Sequence, residues 1–332
     1  MPGRRDFLLA GAASLIVPLR VSAQPIAGGR ALRLIVPFPP GGAVDILGRL
    51  LAERLGPALG QTVIVENRGG AGGNIGADAL AKAAPDGSSI GLISATTLCA
   101  ATALYRSMAY DPQRDLAPVS MITTGAVLCV VNAETAAKRG WSDFASLIAW
   151  ARAHPEEVRM GSSGTGTTSH LTIAAVNQAT GARITHVPYR GGGPAINDLL
   201  AGTIDMMFDV MPALMPHVES GKVRPLAVSS ARRLAVLPEV PGMADLAPLG
   251  LGDLDIQSWN AVMTTTGTPA PVIARLAEAV RAVAAEPAFV ERLRPLGYQV
   301  ITSETPAALT ARIQAETPRW QRLVEISGAR LD

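Results

Sequence analysis

The stretch Val36 to Asp45, VPFPPGGAVD, limits this chain more than any other. An apolar β-like run, LRLIVPF, enters Pro39-Pro40-Gly41-Gly42 and leaves with Ile46, Leu47, Leu50, Leu51, Leu55 and Leu59 at helical spacing. That is a strand, a tight corner and a helix. The pattern then repeats: QTVIVEN is a second strand, RGGAGGNIG leads a short helix, PDG turns, and SIGLISA is a third strand. From Val119 it restarts with VLCVV, a helix opened by Ser142 as N-cap and stopped by Pro155, and a second glycine corner from Gly161 to His170 whose helix ends at Gly181. The segments ITHVP, TIDMMFDV, VRPLAVSS and IQSWNAVM read as further strands, and a long amphipathic helix carrying Leu309, Ile313, Trp320 and Leu323 closes the chain. Strands alternating with helices predict a parallel sheet covered on both faces, an α/β fold.

At 332 residues the chain exceeds the usual size of one compact domain, so two α/β lobes are expected. Aromatic residues make up only 4%, so the cores must be aliphatic. A formal net charge of +2, with no Lys/Arg block interleaved with aromatics, argues against nucleic acid or an anionic membrane as partner. The first residues carry Arg4-Arg5, an apolar run from Phe7 to Leu19 too short to span a bilayer, and Val21-Ser22-Ala23, which reads as a secretory signal cut after Ala23. The Arg-Arg-Asp-Phe-Leu order resembles a twin-arginine signal, with a general secretory signal as the alternative. Either route places the mature chain in the periplasm. Cys99 and Cys129 can pair there or remain buried thiols, and His154, His170, His186 and His217 lack metal-ligand spacing. No metal site is expected.

Glycine corners at the carboxyl ends of parallel strands are where open α/β sheets hold ligands. The first N–H groups of the helix that follows have no intrahelical acceptor and sit at the positive end of its dipole, so each corner is an anion site in waiting. Phosphate cradles and cofactor folds fit poorly. Gly41-Gly42 lead to Ala43-Val44 where a Walker loop needs Lys and Ser/Thr, and Gly70, Gly72 and Gly76 miss the dinucleotide spacing. No cofactor is expected. A nucleophile elbow at Gly161 would need glycine where Thr165 stands, which weakens the alternative of an exported serine hydrolase using Ser163 or Ser169. Asp205 and Asp209 share one side of a strand and read as cleft carboxylates or loop caps rather than an acid/base pair.

The motifs VPFPPGGAVD, ENRGGAGGNIGADALAKAAPDG, GSSGTGTTSHL, VPYRGGGPAINDLLAGTIDMMFD and GTPAPVIARL, in this order, resemble the substrate receptors of tripartite tricarboxylate transporters, the Bug receptors. The resemblance spans essentially the whole mature chain. It implies a type II periplasmic binding protein fold, two doubly wound lobes with a ligand cleft between them, here 24–122 with 232–332 and 123–231. It implies a monomeric solute receptor for a small mono- or dicarboxylate, working with membrane transporter subunits; a ligand-binding partner of a sensor is a further alternative. Carried over position by position, the first lobe would contact the ligand through Phe38, Pro40, Gly41, Gly42 and Asp45. The second would use Ser162, Gly164, Thr165, Gly166, Thr167, Thr168 and His170, with Asp205, Asp209, Tyr189 and Arg190 near the cleft. Three departures bear on ligand identity: Ser88 in PDGSSIG, the absence of an acidic residue near Ala174 and Ala175, and the polar run VMTTTGTP.

Overall fold

The computed structural model describes residues 26–332, so the expected signal and its cleavage point lie outside the described residues. Ten strands are assigned among them: β1 (Leu32–Val36), β2 (Val63–Asn67), β3 (Ser89–Ser94), β4 (Leu116–Asn132), β5 (Arg159–Ser162), β6 (Thr185–Pro188), β7 (Met206–Val210), β8 (Val223–Val228), β9 (Gln257–Thr265) and β10 (Gln299–Val300). Along the sheet the order is β2-β1-β3-β9-β4-β7-β5-β6, and β8 and β10 also pair with β4. β1 runs parallel to β2 and β3, and β5 parallel to β6 and β7. Each half of the molecule thus repeats one plan, a central strand whose neighbours lie on opposite sides, which is where connections diverge and a crevice opens.

The halves are joined through β4. Its first part, from Leu116 to Ala126, pairs antiparallel with β9, and its last part, from Val127 to Asn132, pairs with β7 and β8. The sequence around Val119 suggested a restart, yet the strand is continuous across Pro118 and Gly125, with register shifts on β9 between Pro118 and Ser120 and between Met121 and Thr123. These bulges absorb the residues that fit a regular ladder badly. The chain returns later than the sequence reading placed it. Leu237, Val240, Met243 and Leu251 are buried in second-lobe clusters, and Ile256 N donates to Ser229 O just before β9, so the crossing falls near 256 rather than at 231/232.

The cores are aliphatic, as the composition requires. Leu34, Val36, Leu47, Leu51 and Leu55 fill one side of the first-lobe sheet, while Phe144, Leu147, Ile148 and Phe208 anchor the second. The helix Phe144–Ala153 is capped by Asp143, whose side chain accepts from Ser146 N at 2.7 Å, one residue later than the expected Ser142. Cys99 and Cys129 are buried, unpaired and in different clusters, so burial raises both thiols and leaves them chemically quiet. The C-terminal helix Pro306–Ser327 lays Leu309, Ile313 and Trp320 against Leu171 and Ala175 of the second lobe and Leu98 of the first. Ala175 is therefore a packing position, which accounts for a small apolar residue there. Among the described residues no helix is long and apolar enough to cross a membrane.

Candidate functional site

Both glycine corners leave the central strand of their half and start a helix. After β1, Gly41 takes φ +83°, open to glycine at little cost, and Gly42 is the N-cap of the helix Ala43–Leu59. After β5, Gly164 and Gly166 take positive φ and Thr167 is the N-cap of the helix Thr168–Thr180. Neither helix is capped by its N-cap side chain. Gly42 has none to offer, and the Thr167 hydroxyl is committed to Gly164 O at 2.7 Å. The first-turn N–H groups of both helices consequently keep their donors free. One cavity is lined by both starts, Gly42-Ala43-Val44 and Thr167-Thr168-Ser169, with Phe38 and Pro40 from the first corner and Ser163 from the second.

The remaining predicted residues divide by role. Asp45 is buried and does not line the cavity; it buckles the corner, accepting from Gly41 N at 2.9 Å, Arg49 Nε at 3.0 Å and Asn67 Nδ2 at 2.8 Å. Burial works to raise its carboxyl, but the Arg49 guanidinium, the Gly41 N–H and the Asn67 amide together hold it below the ordinary value. The Gly41 N–H is thereby engaged by Asp45. In the second corner Ser162 is fully buried, with Oγ 2.5 Å from His186 Nε2 and accepting from Gly164 N at 3.2 Å. Gly166 N donates to His170 Nδ1 at 3.1 Å, and the His170 and His186 rings stack with centroids 4.0 Å apart. Desolvation lowers these imidazoles to about 4 and about 3, so both are neutral at ordinary pH. His170 and Ser162 thus brace the second corner through hydrogen bonds to its main chain and to His186. Sequence spacing gave no hint of the His170–His186 stack, because it forms between the helix that follows β5 and strand β6 and depends on how that helix packs on the sheet.

Asp205 and Asp209 part company. Asp205 stands at the start of β7, accepts from Arg159 N at 2.7 Å and pairs with Arg139 and Arg159 at 3.4 Å each, tying strand ends together far from the cavity. Four residues of strand separate the two carboxyls by about 13 Å, so sharing a side does not put them in one site. Asp209, at the other end of β7, lines the cavity. Gly164 and Thr165 line an adjoining cavity at the mouth, together with Tyr189, Arg190 and the glycine loop Gly70 to Gly73. Here the lobes touch. A Cβ on Gly72 would stand 3.0 Å from Thr165 O, and one on Gly191 would stand 3.0 Å from Pro39 Cδ. Residues missed from the sequence line the inner cavity too: Ser94, Thr96, Ser258, Asn260 and Tyr298, the last from the segment just before β10 that only the fold brings there.

Buried Asp209 has its carboxyl pushed up to about 7 by desolvation, against which the Val210 N–H at 2.8 Å works only partly. The folded value exceeds the ordinary one, so the stability contributed by the neutral carboxyl is complete below about pH 4 and drains away as pH rises through about 7. Asp209→Asn keeps the acceptor for Val210 without the charge. We expect it to melt roughly 2–4 °C above the unaltered protein at pH 7 and to lose that advantage by pH 4, measured by calorimetry without ligand. An unchanged gap across this range would show that Asp209 is ionised throughout.

Two converging helix starts in a cleft between repeated α/β halves define a two-lobed binding protein of the periplasmic type. Comparison with known proteins agrees. The model of the tripartite tricarboxylate transporter family receptor matches residues 47–329, and the chain belongs to that family. Three solved structures superpose closely. Rpa4515 of R. palustris, with adipate, is 33% identical with TM-score 0.85, covering 91% of this chain and 99% of its own. The periplasmic binding protein BugD is 33% identical with TM-score 0.84, covering 91% and 98%. MatC of Rhodopseudomonas palustris, with malate, is 31% identical with TM-score 0.81, covering 89% and 99%. The chain is a solute receptor and not an enzyme. Ser169 Oγ donates to Phe208 O.

Proposed function

We propose that the chain is an extracytoplasmic receptor that binds a small mono- or dicarboxylate between its lobes and hands it to the membrane subunits of a tripartite tricarboxylate transporter. The observation that carries this reading is the pair of uncapped helix starts facing one cavity. Each charge-assisted hydrogen bond contributes about 1.5–3 kcal/mol, and micromolar binding needs about 8 kcal/mol, so three or four main-chain donors suffice without a guanidinium. The adipate and malate of its structural neighbours fit the same chemistry. Under this reading the mature chain starts at Gln24, works as a monomer in the periplasm, and presents its closed form to the transporter. Protein purified from its native periplasm should release a carboxylate on denaturation, identified by mass spectrometry, and rebind it in isothermal titration without turnover. Release of only neutral or cationic solutes would overturn the reading.

A further inference from the structure

Beyond the two helix starts and the hydroxyls of Ser94, Thr96, Ser163 and Ser258, the inner cavity holds a group of polar atoms left without partners. Asp209 Oδ1 accepts from Val210 N, while its Oδ2 has no hydrogen-bond partner among the described residues. Asn260, 2% exposed on β9, donates through Nδ2 to Thr123 Oγ1 at 3.3 Å and leaves Oδ1 buried without a partner. Tyr298, 5% exposed, has a buried hydroxyl with no partner, close enough to Asp209 that this carboxylate adds to the burial that raises its pKa. No lysine or arginine is among the residues lining this cavity. Glycine at 192 makes the arrangement possible, since a Cβ there would sit 2.6 Å from Asp209 Oδ2. Buried polar atoms are rarely left unmatched, because each costs its desolvation without return. Two of them beside a third acceptor, on three separate strands and loops, mark a place built to be completed by something else.

We infer that Asp209, Asn260 and Tyr298 form a second polar subsite that takes a hydrogen-bond-donating substituent, a hydroxyl or an ammonium, on the carbon chain of the bound carboxylate. The inference rests on the carboxylate reading above and adds the substituent. Once Asp209 ionises, above about pH 7, a second bare carboxylate placed there would meet that charge and the Asn260 carbonyl oxygen, with the Tyr298 hydroxyl as donor and no cation, and would lose most of its hydration without replacement. A hydroxyl or ammonium instead supplies the donor that Asn260 Oδ1 and Asp209 Oδ2 lack, and accepts from or donates to the Tyr298 hydroxyl. Specificity of this kind is steep, because a ligand without the donor leaves the buried acceptors unpaired.

The test uses matched acids on the mature, ligand-stripped protein: succinate against malate for the hydroxyl arm, succinate against aspartate for the ammonium arm, and adipate against 3-hydroxyadipate for a longer chain, all by isothermal titration. At least one substituted acid should bind about tenfold or more tightly than its unsubstituted match. That ratio should fall to within about threefold in both Tyr298→Phe and Asp209→Asn. Tyr298→Phe should also melt no lower than the unaltered protein, since it removes only an unmatched hydroxyl; a purely structural tyrosine would lose stability and leave the ratio alone. Carboxylate binding without preference for any substituted member, or a preference that survives both variants, overturns this inference alone. Failure of every carboxylate to bind overturns the carboxylate reading and this inference with it.

Discussion

Ala43→Pro and Thr168→Pro should each weaken carboxylate binding about ten- to hundredfold while leaving the fold intact. Each residue is the first of its helix, where proline is tolerated because the missing N–H has no intrahelical acceptor. The residues before them are extended, Gly42 at φ −78°, ψ 167° and Thr167 at φ −74°, ψ 163°, the conformation a following proline demands. Each substitution therefore deletes one donor facing the cavity, worth about 1.5–3 kcal/mol against a carboxylate. Gly164, attractive from the sequence, is the wrong position: its φ of +137° excludes proline and its N–H already serves Ser162 Oγ. Isothermal titration with malate and adipate, alongside circular dichroism, measures the effect; Ala43→Gly, which keeps its N–H, should bind as the unaltered chain does. If both proline variants bound normally with intact spectra, the anion would be anchored elsewhere than at these helix starts.

Gly72→Asn should hold the cleft open. Gly72 sits at φ 61°, ψ 21°, a left-handed conformation that asparagine tolerates better than other side chains, so the substitution strains the loop little. Its Cβ, however, would lie 3.0 Å from the carbonyl oxygen of Thr165 across the cleft, and main chain cannot rotate aside. The lobes must separate by a few tenths of an ångström or more, which loosens the second helix start from a ligand already held by the first. Small-angle scattering should show the unaltered protein shrinking on saturation with ligand and the variant shrinking less. Affinity should fall about tenfold, mostly through faster release. Equal compaction in both proteins would show that closure does not pass through this contact.

The sequence made some of this legible because its signals were local. A strand, a glycine corner and an amphipathic helix follow one another in a single continuous stretch, so both corners, the α/β class and the cap Gly181 could be placed from the residues alone. What sheet geometry decides was less visible. Pro118 and Gly125 look like breakers, and only the bulged ladder with β9 keeps β4 whole. Asp45 and His170 belong to the corner motifs, but their contacts with Asn67 and His186, distant in sequence, carry no local signal. Asp205 and Asp209 share a strand face, yet strand length separates their neighbourhoods. Asn260 and Tyr298 carried no motif, and no periodicity distinguishes a cavity wall from a core.

Mutation reaches side chains freely and the main chain hardly at all. With the anion held, as proposed, by N–H groups at the starts of two helices, the anchor lies where nearly every codon change leaves it standing, while the walls at Ser94, Thr96, Asp209, Ser258, Asn260 and Tyr298 stay open to substitution. Duplicated copies of such a gene can drift toward new ligands one wall residue at a time without passing through a form that binds nothing. An inherited grip combined with replaceable walls makes the frame easy to diversify, and a laboratory seeking a sensor for a new organic acid should alter the walls and leave both corners untouched.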